Sequence, residues 1–104
     1  MTLDEFRASV AAKAPPAGLG HALQTLWWDA RGDWDCAHHC AQQDHERTGS
    51  SVHAYLHRKE GDQSNAAGWY RRAGRTAPTG SLEAEWEALA RELLQTDRND
   101  PLPI

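Results

Sequence analysis

Two cysteines in 104 residues, Cys36 and Cys40, exclude a disulfide framework. Four apart on one expected helix face, they suit free thiols in a reducing compartment. No apolar run approaches the ~18 residues of a membrane span, and Asp4, Glu5 and Arg7 interrupt the first turns where a leader would be apolar. A cytoplasmic protein with no membrane partner is therefore expected. No stretch alternates as a half-buried strand does. A glycine-rich phosphate loop, the strand-turn-helix setting of a nucleophile and paired carboxylates in an apolar setting are missing as well. Ser50 and Ser51 precede His53, but on an expected loop, so no catalytic residue is assigned and no enzyme is expected.

Charge is short of the sign that nucleic acid demands. The formal net charge is −4, which argues against general nucleic-acid binding. Within that balance residues 51–80 are locally basic, with Arg58, Lys59, Arg71, Arg72 and Arg75 against Glu60 and Asp62. Such a face takes an acidic peptide, a phosphate or the chain's own acidic C-terminal helix, or is simply solvated.

What is present is helical periodicity. Hydrophobic residues make up 39% and charged residues 25%, ordinary for one globular domain, while five tryptophans are many for this length. Thr2-Leu3-Asp4-Glu5 is a capping-box pattern, and with Leu3, Phe6 and Val10 it predicts a helix over about 3–13, stopped by Pro15-Pro16. Leu19, Leu23, Leu26, Trp27 and Ala30 predict a helix over about 18–31, and Trp34, Ala37, Cys40 and Ala41 its partner over about 34–43. Residues 42–51 read as a flexible loop around Gly49. Val52, Tyr55 and Leu56 then start a second hairpin over 51–78, whose return helix carries Ala66, Trp69, Tyr70 and Ala73. Gly61 suits the left-handed residue between them, and Asp62 or Ser64 the next cap. After Ser81, Leu82, Trp86, Leu89 and Leu93 form the apolar stripe of a last helix over 81–95, and residues 96–104 read as a polar tail.

The second hairpin resembles the tetratricopeptide repeat. Ala66, Tyr70, Ala73 and Pro78 match the family's intervals of four, three and five, and Gly61-Asp62 its usual turn. His53 and His57 depart from it, standing where the family has leucine and an aromatic. Gly32-Asp33 repeats the turn 29 residues upstream and pairs Ala37 with Ala66. The resemblance implies an all-α fold of two such hairpins with N-terminal (1–14) and C-terminal capping helices, about five helices in all. It also implies peptide binding in a groove lined by the first helices, near Leu26, Asp29, Tyr55 and Arg58. The family's asparagine-lysine clamp for carboxylate tails is not present. The chain is similar, too, to small uncharacterised bacterial proteins sharing His-Ala-Tyr-Leu-His-Arg-Lys-Glu-Gly-Asp, a likeness that brings no activity with it.

Two sets of residues invite a ligand. His53 and His57, one helical turn apart, share a face that the repeat alignment points toward Trp69 and Tyr70. They are either structural or line a pocket with Tyr55, Arg58, Trp69, Tyr70 and Arg71. Cys36, His39 and Cys40 at i, i+3 and i+4 have donors that zinc selects, with a fourth ligand due from His53 or His57. The plainer reading is a small buried thiol beside surface histidines, with no cofactor. The first functional expectation is a small adaptor that binds a protein or peptide through the basic, aromatic central hairpin, a homodimer staying open. The alternative is a metal- or small-anion-binding protein using His53 and His57. Trp86 is expected to be buried against the second hairpin, on Trp69 or Ala73.

Overall fold

Thr2 opens the first helix as a reciprocal cap: its Oγ1 accepts the Glu5 N–H at 3.1 Å, and Glu5 Oε1 accepts the Thr2 N–H at 2.8 Å. In the structure, a computed structural model that describes residues 1–98 and only the backbone of 96–98, this helix is α1, Leu3–Ser9. It stops short of residue 13. Arg31 collects the carbonyls of Val10 and Ala12 at 2.9 and 2.7 Å, oxygens a longer helix would use, and Pro15 and Pro16 have no N–H to continue it. The remaining helices are α2, His21–Ala30; α3, Trp34–Gln43; α4, Arg47–Lys59; α5, Gln63–Arg72; and α6, Leu82–Arg98. The described residues are thus all helix and connection without a strand, and the helices number six rather than about five. α6 passes the expected end at 95, while 99–104 of the expected tail lie outside the described residues.

The two glycine-aspartate turns are equivalent bond by bond. Gly32 and Gly61 take φ of 83° and 90°, a region open to glycine at little cost. Asp33 accepts the Cys36 N–H and Asp62 the Asn65 N–H, each capping the following helix. The Asp33 N–H returns to the Trp28 carbonyl and the Asp62 N–H to the His57 carbonyl, 3.0 and 2.9 Å. Each turn folds a helix back on its predecessor, α3 on α2 and α5 on α4, and α3 packs on α4 to join the hairpins.

The stretch expected as a flexible loop is mostly helix. α4 starts at Arg47 with Glu46 as its N-cap residue and no side-chain cap, and Asp44 braces the entry, one carboxylate oxygen accepting the Glu46 N–H and the other the Thr48 hydroxyl, both at 2.8 Å. Gly49 permits the fold-over: a Cβ there would stand 2.1 Å from the Asp44 carbonyl oxygen. Ser51 is buried with its hydroxyl on the Arg47 carbonyl at 3.0 Å. Polar composition suggested a loop; the serines and glycine instead serve a tight helix start.

α6 returns across α2, α4 and α1. Its stripe, Trp86, Leu89, Ala90, Leu93 and Leu94, joins Phe6, Leu23, Leu26, Trp27, Val52, Tyr55 and Leu56 in one core. Trp86 is buried, yet not on Trp69, which packs in a separate small cluster with Ala54, Ala66 and Tyr70. It stacks on Phe6 with centroids 5.8 Å apart and donates its indole N–H to the Leu26 carbonyl at 3.1 Å. Ala73 only borders the same cleft as Leu89 and Leu93. The first helices of the two hairpins therefore offer their shared face to α6.

Candidate metal centre

α4 places His53 and His57 on one face a turn apart, and both are buried. α3 brings His38 against them from the first hairpin. His38 Nε2 lies 2.9 Å from His53 Nε2, and one ring nitrogen from each of the three histidines lies within 4.8 Å of the others. The His53 and His57 rings are nearly parallel, with centroids 4.9 Å apart, and the His38 ring stands across them at 88° to His53 and 74° to His57.

Aromatic rings hold this arrangement. Trp34 lies on His38, centroids 4.8 Å apart and planes 10° off parallel, anchored by its indole N–H on the Leu56 carbonyl at 3.2 Å. Trp69 covers His53 in the same way, and the Arg72 guanidinium sits 4.9 Å from the centre of the Trp69 ring. On the remaining side His57 Nδ1 meets Glu60 Oε2 at 2.6 Å. That bond places the Nδ1 proton toward the carboxylate and leaves Nε2 as the nitrogen with a lone pair.

Burial depresses the basicity of two of these imidazoles. His53 is pushed down to about 4, by desolvation first and then by His38, His57 and Arg72. His38 is lowered as well, by desolvation and then by His57. Near neutral pH both rings are therefore uncharged, and the 2.9 Å contact has one Nε2–H donating to the other Nε2, so binding an ion through both requires that proton to move to Nδ1. Around a tetrahedral ion with bonds of about 2.0–2.1 Å the nitrogens stand roughly 3.3 Å apart; the His38–His53 pair is a little closer at 2.9 Å, and all three lie within 4.8 Å. All donors are imidazole nitrogens, a set that suits zinc, copper, nickel and cobalt over magnesium or calcium.

The cysteine site read from the sequence does not assemble. Neither Cys36 nor Cys40 belongs to any described trio of ligand atoms. α3 buries Ala37 and Ala41, keeps Cys36, His38 and Cys40 partly covered, and turns His39 to solvent. Both thiols are held protonated: Cys36 is raised by its bond with Asp33 and then by burial, Cys40 by burial. A histidine trio spanning two helices takes the place of the Cys36, His39 and Cys40 set.

The other site residues divide. Trp69 joins His53 and His57, whereas Tyr55, Arg58 and Tyr70 are engaged inside the fold. The Tyr55 hydroxyl donates to Asp29 Oδ2 at 2.8 Å, and Lys59 meets Asp29 Oδ1 at 2.9 Å. Arg58 pairs with Glu85 Oε1 at 2.8 Å and also bonds the Gly80 carbonyl, while the Tyr70 hydroxyl donates to Glu85 Oε2 at 2.6 Å. Both phenols are raised by burial and by the carboxylates they bond. Arg75 pairs with Glu92 of α6, and Arg71 is exposed. Of the hairpin's five cations, Arg58 and Arg75 are thus paired with the acidic α6 and Lys59 with α2.

Sequence reasoning missed His38, Trp34 and Glu60 as members of one site. His38 was visible only as one of several histidines near Cys36, and Trp34 as core of the first hairpin. The only local signal was Glu60 at i+3 from His57. No protein-family model, curated protein or solved structure matches the chain.

Proposed function

We propose that this protein binds one divalent transition-metal ion through His38, His53 and His57, with Glu60 orienting His57 from behind. The observation that carries the reading is the convergence of three imidazole nitrogens within 4.8 Å, two of them on buried rings. A histidine whose other nitrogen is fixed by a carboxylate is the usual second layer of a metal site. The fold supports the reading too, because α3 and α4 belong to different hairpins and an ion there ties them together. The two bond-for-bond equivalent turns support reading the hairpins as degenerate tetratricopeptide-like repeats.

The adaptor reading has less behind it. Of the two arginines it calls on, Arg58 is paired with Glu85 while Arg71 stays exposed, and α6 lies on the face of α2 and α4 that a peptide would take.

The test is calorimetric titration of tag-free, chelator-stripped protein with zinc and cobalt. Binding of one ion per chain is expected, with a tetrahedral cobalt spectrum, lost in His53→Gln and in His38→Gln and weakened about 10–100-fold in Glu60→Gln. A wild-type protein that takes up neither ion while correctly folded would remove the reading.

A further inference from the structure

We infer that the ion held by His38, His53 and His57 keeps one exchangeable coordination position and takes a small anion there, an inference that rests on the metal reading above. Ligand count is the first ground. Among the described residues no fourth histidine, cysteine, aspartate or glutamate joins the trio. A structural zinc site is closed by four protein ligands, whereas three protein ligands leave a position for a water or an added ligand.

Charge decides the class of that ligand. Three neutral imidazoles leave a divalent ion its full charge, and Glu60 offsets about one unit of it from behind His57. Two of the three rings that would hold the ion are buried, and tryptophans cover His38 and His53, a setting where uncompensated charge is costly. An anionic fourth ligand removes that cost; a neutral one does not.

Access is the third ground. A cavity of about 660 Å³ reaches the cluster at His53 alone of the three ligands, with Trp69, Arg72, Arg47 and His45 also in its wall. Neither arginine has an ion pair among the described residues. Asp44 and Glu46 also border the cavity and set two carboxylates against the two arginines, so the pull on an anion comes from the ion itself. The cavity admits a carboxylate-sized anion beside His53, with the Arg72 guanidinium, which lies over the Trp69 ring, in its wall.

The experiment uses full-length protein loaded with cobalt and follows its visible absorption while acetate or azide is added at constant ionic strength. The expected result is a band shift that saturates in the millimolar range for both anions, with no response to tetramethylammonium perchlorate, whose anion coordinates only weakly. A cobalt spectrum that stays unchanged through the titration overturns the exchangeable position while leaving the metal site intact. Absence of any tetrahedral cobalt spectrum in a folded protein removes the metal reading itself. A shift that appears equally with the perchlorate salt does not come from anion coordination and overturns the inference.

Discussion

Trp69 lies flat on His53, with ring centroids 3.8 Å apart and planes 11° from parallel. The indole shields the imidazole from water, and desolvation is the largest cause of its lowered basicity.

A pH dependence of the metal-free protein follows. Folded His53 titrates near 4 against 6.5 for an ordinary histidine, so between these values the unfolded chain binds a proton that the folded chain refuses. Stability is complete above pH 6.5 and declines as the pH falls toward 4, by on the order of 2 kcal/mol, and His38 adds to it with the same sign. Urea denaturation at a series of pH values reads the loss. In Trp69→Ala, where water reaches His53, the decline is shallower; an identical slope in the two proteins would count against the shielding role.

Trp86 ties α6 to α1 and α2. Replacing it with alanine removes a buried ring that stacks on Phe6 and bonds the Leu26 carbonyl. The expected cost is about 3–5 kcal/mol, a large part of the stability of a domain this size. Thermal unfolding checks it, and truncation after Gly80 is expected to abolish the cooperative transition.

Glu85 is the buried acceptor of both Arg58 and Tyr70. Arg58→Met leaves a carboxylate without its cation and should cost about 3 kcal/mol. Tyr70→Phe removes only a hydroxyl and should cost about 1–2 kcal/mol. Adding Glu85→Gln to Arg58→Met should recover part of the loss. Chemical denaturation of the single and double variants decides this, and strict additivity would mean that the pair is not coupled.

Two glycines make an opposed pair. Gly49→Ala drives a methyl into the Asp44 carbonyl and should destabilise the start of α4 by about 2 kcal/mol or more. Gly68, inside α5, has open space where a Cβ would stand, so Gly68→Ala should stabilise by about 0.5–1 kcal/mol. Melting temperatures moving in opposite directions are the expected outcome.

Helical periodicity, the glycine-aspartate turns and the burial of Trp86 were legible in the sequence because each depends on residues a few positions apart. The partner of Trp86 was not. Whether α6 continues past α5 or folds back over α2 and α4 depends on packing among helices distant along the chain, and the second arrangement brings Phe6 under the indole. The candidate site shows the same division. The i, i+4 pair His53 and His57 follows from helix geometry alone, and its stacking side with Trp69 from the hairpin. His38 enters only through the packing of α3 on α4, across a connection whose residues 47–51 read as loop but form helix. Cys36 and Cys40 attracted attention by their chemistry, but local spacing does not say which face of α3 meets another helix.

The contact of α6 with α1 also governs when folding can finish during synthesis. Arg7 and Glu87, which pair at 2.8 Å, are 80 residues apart in the chain. A ribosome adding roughly 5–20 residues per second completes both hairpins about 1–4 s before it has made the whole Trp86 stripe. Until then the common face of α2 and α4, with Leu26 and Leu56, has no helix over it. The nascent chain therefore passes through a stage with a sticky apolar face, during which a chaperone has something to hold and two chains on one message have something to share.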